Sequence, residues 1–346
     1  MKTLGVIGTA KNTGKTTTLS FLLKGLISRG LRLSVTSIGY DGEEFDNITK
    51  LPKPRLYLEK DCIIATSEKC LMNTKAEFEI IDDAPFSTAL GKIKIVRITK
   101  PGLIVLAGPN TKNGLNEIIK IIEKKTKCDL LLVDGSLNRL SPMFILDKLI
   151  ITTGASRNPD IGTLVKEMSL IEKIFSYQFS SYQFTQNNIS IISSDKSIVL
   201  RGNTLVDEYD FQQLEKSLDE DVEKIFIPGL ISAEYLSKNL DRIYKTINKS
   251  FELVFHSPIQ LLLTEELKNI EIFLNYIKQH QIKISYRFKP CLSAITINPF
   301  YPKQQNYVYV PSYLDKEILF KEMSKELNTP VFNIFETNSN KIFDLI

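Results

Sequence analysis

The stretch GTAKNTGKTTT, Gly8–Thr18, directly follows the apolar run Leu4–Ile7 at the start of the chain. A strict phosphate loop has glycine, four free residues, then Gly-Lys-Ser/Thr, so that backbone N–H groups and a lysine cradle the phosphates. Counting back from Gly14 puts Thr9 in the first slot, and the glycine, Gly8, comes one residue early. The flanks nevertheless supply the context such a loop requires. Residues 2–8 read as a short buried strand, and Leu19, Leu22, Leu23, Leu26 and Ile27 fall at helical spacing before Gly30. Residues 31–39 (LRLSVTSIG) then read as a second strand. Together these make a βαβ unit with parallel strands and a right-handed crossover.

A phosphate is held best by N–H groups converging at a helix N-terminus, with an ammonium added from the loop. Gly14 allows close backbone approach, Lys15 would reach the β and γ phosphates of a nucleotide, and the Thr16 hydroxyl would coordinate Mg²⁺. Gly8, Thr9, Lys11, Asn12, Thr13 and Thr17 complete the expected cradle. Magnesium needs a carboxylate as well, usually at the end of a neighbouring buried strand. Asp134, closing DLLLVDG (129–135), fills that place, and an Asp-Gly turn is the competing explanation. Asp129 opens the same run and reads as a cap. Asp41, in TSIGYDGEEFD (36–46), is a third acidic candidate; Glu43 and Glu44 compete with it, as does a plain solvated acidic loop. Lys15, Asp134 and Asp41 form the candidate catalytic set, and Thr16, Asp134 and Asp41 the candidate metal set. Arg139 and Arg157 follow two strand ends; each could neutralise developing charge, but a surface salt bridge is the better expectation for both.

ATP is favoured over GTP by an absence. The sole match to the guanine-reading pattern, TKCD at 126–129, precedes the strand that carries Asp134 instead of following it. Asn298, ending AITIN, stands where related ATPases read adenine with an asparagine, although Asn-Pro also ends many strands for turn reasons.

At 346 residues the chain is long enough for two ordinary domains. It carries 44 basic and 40 acidic residues, a net charge of +4 with no basic stripe, so nucleic acid is a poor expectation as a partner. Four cysteines without a CxxC pair and only two histidines give neither a disulfide framework nor a zinc site, and fit reduced cytoplasmic thiols. The chain shows neither an export signal nor about 18 uninterrupted apolar residues, so no membrane association is expected. DCIIAT (61–66), IKIVRI (93–98), GLIVLAGP (102–109), DLLLVDG and KLIITTGA (148–155) are strand candidates, and helices are predicted over 116–125 and 163–175. Their unalternating apolar runs predict an α/β fold: a mostly parallel sheet with helices on both faces, over residues 1–175. FSYQFSSYQFTQNN (175–188) reads as a polar aromatic linker or hairpin. Residues 185–346 again alternate β and α, with helices over 231–249, 259–280 and 314–327. They are expected to form a second α/β region, either with its own sheet or as a continuation of the first.

The phrase GTAKNTGKTT (8–17) resembles the loops of dethiobiotin synthetase and the cobyrinic and cobyric acid synthetases, which also start one residue early. KNTGKTT is similar to the loop of the molybdopterin-guanine dinucleotide accessory protein. Lys11 does not match the signature lysine of the Gly-Lys-Gly-Gly loops in partition ATPases. TSIGYDGEEFDNITKLPKPR (36–55), LAGPNTKNGL (106–115), LLVDGSLNR (131–139), ITTGAS (151–156) and AITINPFYP (294–302) narrow the likeness. With the loop, they resemble the P-loop subunit of the lysine 5,6-aminomutase reactivase. That resemblance implies a Mg-ATP-dependent ATPase acting with a MutS-like partner on an adenosylcobalamin-dependent aminomutase whose cofactor has been damaged. No residue set for ligating cobalt or forming a Schiff base is evident. Two other readings share the same loop: a metabolic ligase or kinase of the dethiobiotin synthetase type, and a nucleotide-switched binding module.

Overall fold

The computed structural model describes residues 1–39, 56–136, 141–263, 267–305 and 308–346. Two compact units emerge: Met1–Met168 with Pro290–Ile346, and Ser169–Lys289.

The first unit is built on nine strands: β1 (Lys2–Gly8), β2 (Leu33–Ser37), β3 (Ile63–Ser67), β4 (Glu77–Thr88), β5 (Gly91–Lys100), β6 (Leu130–Ser136), β7 (Lys148–Gly154), β8 (Cys291–Asn298) and β9 (Val331–Phe332). Their order in the sheet is β9-β8-β7-β1-β6-β2-β3-β5-β4. Every pairing from β9 to β3 is parallel, and β5 and β4 add an antiparallel hairpin at one edge. The central strands are buried along nearly their whole length, as a sheet covered on both faces requires. On one face Leu4, Val6, Val35, Leu132 and Ile150 pack with Leu19, Leu22, Leu23 and Leu26 of helix α1 (Lys15–Ile27). Phe343 closes that layer, its ring 5.2 Å from Phe21. On the other face Met143 and Leu146 lie against the backbone of Gly5. The α/β, mostly parallel architecture expected from the apolar runs is therefore present.

Three details differ from the sequence prediction. GLIVLAGP is a strand only over Gly102–Ile104, which pairs antiparallel with Leu56–Leu58. Beyond it Gly108 folds onto β2, where its N–H donates to the Ser37 hydroxyl at 3.0 Å and to Gly39 O at 3.1 Å. Helix Lys112–Lys125 begins four residues earlier than periodicity indicates, because Thr111 caps it by accepting from Gly114 N. The segment predicted as helix 259–280 contains helices Pro258–Leu263 and Leu267–Gln279.

The second unit carries a six-stranded sheet in the order Gln178–Phe179, Lys283–Tyr286, Glu252–Phe255, Val222–Ile227, Ser190–Ser193, Ser197–Val199. The first four are mutually parallel, and Ser190–Ser193 pairs antiparallel with both Val222–Ile227 and Ser197–Val199. Helix Ala233–Ile247, capped by Ser232, buries Leu236, Leu240, Ile243 and Ile247. Within the aromatic stretch 175–188, Phe184 stacks on Phe226 at 4.2 Å.

The sequence grouped 185–346 together, whereas the contacts return the chain to the first unit at Pro290. Strand β8 pairs with β7 from Cys291↔Lys148 to Asn298↔Gly154. Residues 169–289 lie in sequence between two neighbouring strands of that sheet. No shift in composition marks the return, because both units are built from the same alternation of strand and helix.

Candidate functional site

The loop between β1 and α1 lies at the carboxyl edge of the parallel strands, where open α/β sheets bind ligands. Its early glycine has a steric origin. A Cβ on Gly8 would come within 3.2 Å of Thr13 Oγ1 and 3.3 Å of Ala10 O, so the chain doubles back directly over Gly8. Thr9 instead behaves as a continuation of the strand. Its N–H donates to Thr152 O at 2.9 Å and its buried hydroxyl donates to Thr153 Oγ1 at 3.0 Å. The tight point falls on residue 8, and slot 9 tolerates a side chain because β7 supplies a partner for it.

Further hydroxyls fasten the loop. Thr13 donates to Ala10 O at 2.9 Å and lies 3.2 Å from Thr152 Oγ1, while Thr18 in the first turn of α1 is 3.0 Å from Thr296 Oγ1 on β8. Two residues are left-handed, Asn12 at φ 61° and Gly14 at φ 90°. At Gly14 a Cβ would also lie 3.3 Å from Asn298 Cβ. Glycine is required there for conformation and for space together. No side chain caps α1, which begins at Lys15 with Thr16 and Thr17 after it. A helix N-terminus of this kind, opened by a glycine, accommodates an anion.

Asp134 is brought to the same place by register. On β6 it stands opposite Val6 of β1 and Ser37 of β2, and its carbonyl accepts from Ile38 N at 2.7 Å. Lys15 Nζ lies 3.3 Å from Asp134 Oδ1, with the two side chains 15% and 17% exposed. Residues 119 positions apart thus converge beside the loop. The donor set fits the expected ligands: a glycine cradle that a Cβ would fill, an ammonium for phosphate, and the hard oxygens of Thr16 and Asp134 for Mg²⁺. Among the described residues no group of three or more His, Cys, Asp or Glu is arranged to hold a metal. Magnesium at this position would draw its remaining oxygens from phosphate and water, as Mg²⁺ commonly does.

Asn298 also reaches the loop. Its Nδ2 donates to Asn12 O at 2.8 Å and its Oδ1 accepts from Phe300 N at 3.2 Å. Lys11, Asn12 and Thr17 are exposed on the loop and first turn. Asp41, Glu43, Glu44 and Arg139 lie outside the described residues. Arg157 donates to Glu167 Oε2 at 2.8 Å, the ion pair expected for it. Asp129, at the opposite end of the strand from Asp134, binds the Arg32 backbone N–H and guanidinium. Those hydrogen bonds hold its carboxyl down to about 2 and make TKCD part of a structural clasp. Thr152, Thr153 and Thr296 were not among the predicted site residues. The signal was present in ITTGAS: a pair of hydroxyls at the carboxyl end of an otherwise apolar strand.

A second feature borders the same edge of the sheet. A cleft of about 440 Å³ is lined by Phe86, Thr88, Asn110, Asn113 and Glu117, among others. Its Pro109–Gly114 wall follows Gly108, which is fastened to Ser37 next to the register position of Asp134.

No family model matches the chain, and no curated protein matches it. A solved chain described as the structure of pNOB8 ParA bound to nonspecific DNA is similar over 62% of this chain and 72% of that one. The identity is 13% and the TM-score 0.26. No helix among the described residues is long and apolar enough to cross a membrane.

Proposed function

We propose that this chain binds Mg-ATP at the Gly8–Thr17 loop and hydrolyses it in the service of a protein partner, as a cytoplasmic reactivating subunit for an adenosylcobalamin-dependent lysine 5,6-aminomutase. The observation that carries nucleotide binding is the approach of Lys15 to Asp134 at 3.3 Å beside a left-handed glycine. Lys15 holds the β and γ phosphates, while Thr16 and Asp134 hold Mg²⁺. Asp41 is a further proposed metal ligand, and ATP is preferred to GTP because TKCD is committed to the Arg32 clasp. The aminomutase assignment is supported by the sequence phrases in 36–55, 106–115, 131–139, 151–156 and 294–302. In that role, hydrolysis drives a conformational opening of the client that lets damaged cobalamin leave. A MutS-like protein is the proposed second component.

One observation favours a second reading, a small-molecule kinase or ligase of the dethiobiotin synthetase type. The 440 Å³ cleft falls within the size range of metabolite pockets and combines an aromatic wall with amide and carboxylate groups. Phosphate release separates the two. Reactivase function predicts slow basal hydrolysis, raised when the MutS-like protein and the inactivated aminomutase are added, and lost in Lys15→Ala. Stimulation by a small carboxylate alone, with none from the proteins, contradicts it and selects the ligase.

A further inference from the structure

We propose that Asn298 is a positioning residue for the phosphate loop, a latch that sets the direction of the loop amides, and not a reader of the nucleotide base. The proposal rests on the nucleotide-binding reading above.

Asn298 is fixed from three directions. Its backbone carbonyl accepts from Ala155 N at 3.0 Å, and a Cβ on Gly154 would fall 1.9 Å from that same oxygen, so β7 and β8 close tightly at their ends. Its Oδ1 accepts from Phe300 N at 3.2 Å, and its Nδ2 donates to Asn12 O at 2.8 Å. The partners determine the orientation of the carboxamide, since a carbonyl can only accept and a backbone N–H can only donate. The amide keeps one N–H and one lone pair beyond these two bonds, but the directions of both are set by Asn12 O and Phe300 N.

The bond to Asn12 has a direct geometric consequence. Asn12 is left-handed, at φ 61°, a conformation that non-glycine residues adopt at some cost. The peptide unit is planar and trans, so anchoring the Asn12 carbonyl fixes the plane of the Asn12–Thr13 peptide and turns the Thr13 N–H to the opposite side. Asn298 therefore aims a loop amide without touching the ligand. Its Cβ would meet any side chain at Gly14 at 3.3 Å, so one residue governs both left-handed positions of the loop. The strand that carries it, β8, is also the one by which the chain returns from the inserted residues 169–289.

The test uses the full chain with Asn298→Asp and Asn298→Ala. Aspartate keeps an acceptor for Phe300 N and loses the donor to Asn12 O; alanine loses both without adding charge. Binding of Mg-ATP, Mg-GTP and tripolyphosphate, a probe with no base, is measured by calorimetry. Amide hydrogen exchange across Asn12–Lys15 is followed alongside. The latch predicts that Asn298→Ala weakens all three ligands by a similar factor, about tenfold for one lost hydrogen bond in a preorganised site, and that Asn298→Asp, which also adds a negative charge beside the loop, weakens all three by at least as much. The ATP-to-GTP ratio stays constant, and exchange at Asn12–Lys15 quickens while exchange in the core strands is unchanged. Weakened ATP with unchanged tripolyphosphate shows base recognition and overturns the latch. So does unchanged binding of all three. A wild-type chain that binds none of the three removes the nucleotide reading, and the latch with it.

Discussion

The ion pair between Lys15 and Asp134 can be weighed by a double-mutant cycle of Lys15→Ala and Asp134→Asn. At 3.3 Å and an effective dielectric of about 20, the direct attraction is about 5 kcal/mol before desolvation. Both side chains are more than four-fifths buried, so most of that attraction is offset by removing the two charges from water. A coupling energy of about 1–2 kcal/mol should remain, within the usual range for contacting residues. Urea unfolding followed by circular dichroism, without nucleotide, measures it. With saturating Mg-ATP each partner acquires a stronger one, Lys15 the phosphates and Asp134 the metal, and the coupling between them should fall. Lys15→Ala alone should cost about 1.5–3 kcal/mol of nucleotide affinity, roughly ten- to more than a hundredfold. Coupling that is absent without nucleotide, or identical with and without it, would refute the assignment of these two residues to one site.

Other perturbations address the scaffold. Gly108→Ala places a Cβ 1.9 Å from Ser37 O, a backbone atom that cannot swing aside; stability should fall by about 3 kcal/mol or more in a denaturant titration. Thr153→Val keeps the shape of the residue but removes the partner of the buried Thr9 hydroxyl; about 1–2 kcal/mol of stability should be lost, and Thr9→Val combined with it should restore part of the loss. Asp129 has its folded pKa lowered to about 2 by Arg32, so its contribution is present above the unfolded value of about 3.9 and is lost as pH falls through about 2. Asp129→Asn should therefore be less stable than wild type at pH 6, and the gap should close between about pH 4 and pH 2 in acid-unfolding curves. A gap that persists below pH 2 contradicts the linkage.

Much of the first unit was legible because its strands are buried on both faces. Leu4–Ile7, Leu130–Val133 and Leu149–Ile151 are apolar runs that only a covered sheet accommodates. The position of Asp134 at the carboxyl end of its strand was legible for a related reason, since a polar residue that closes such a run marks where the strand leaves the core. β4 escaped prediction because Glu77, Glu79, Asp82 and Asp83 give it no apolar run. Its pairing with β5 is supported by an ion-pair ladder to Lys100, Arg97, Lys94 and Lys92, visible only once the strands are adjacent. Lys125 adds a further ion pair to Asp82 at 3.4 Å. The hairpin Phe300–Gln305 with Val308–Tyr313 was hidden in the same way, by prolines at 302 and 311 that pair with each other. The return of the chain at Pro290 is a long-range event, fixed by the pairing of β8 with β7 and carried by no local signal. The anchoring threonines needed both facts at once, since Thr152 and Thr153 acquire meaning only when β7 lies beside the loop.

The central claim is that the Gly8–Thr17 loop cradles a triphosphate. Calorimetric titration of Mg-ATP into the wild-type chain and into Lys15→Ala tests it most directly. The account predicts saturable, magnesium-dependent binding to the wild type and affinity at least tenfold weaker in the variant, with both proteins folded. Equal binding by the two proteins, or none by either, would contradict it.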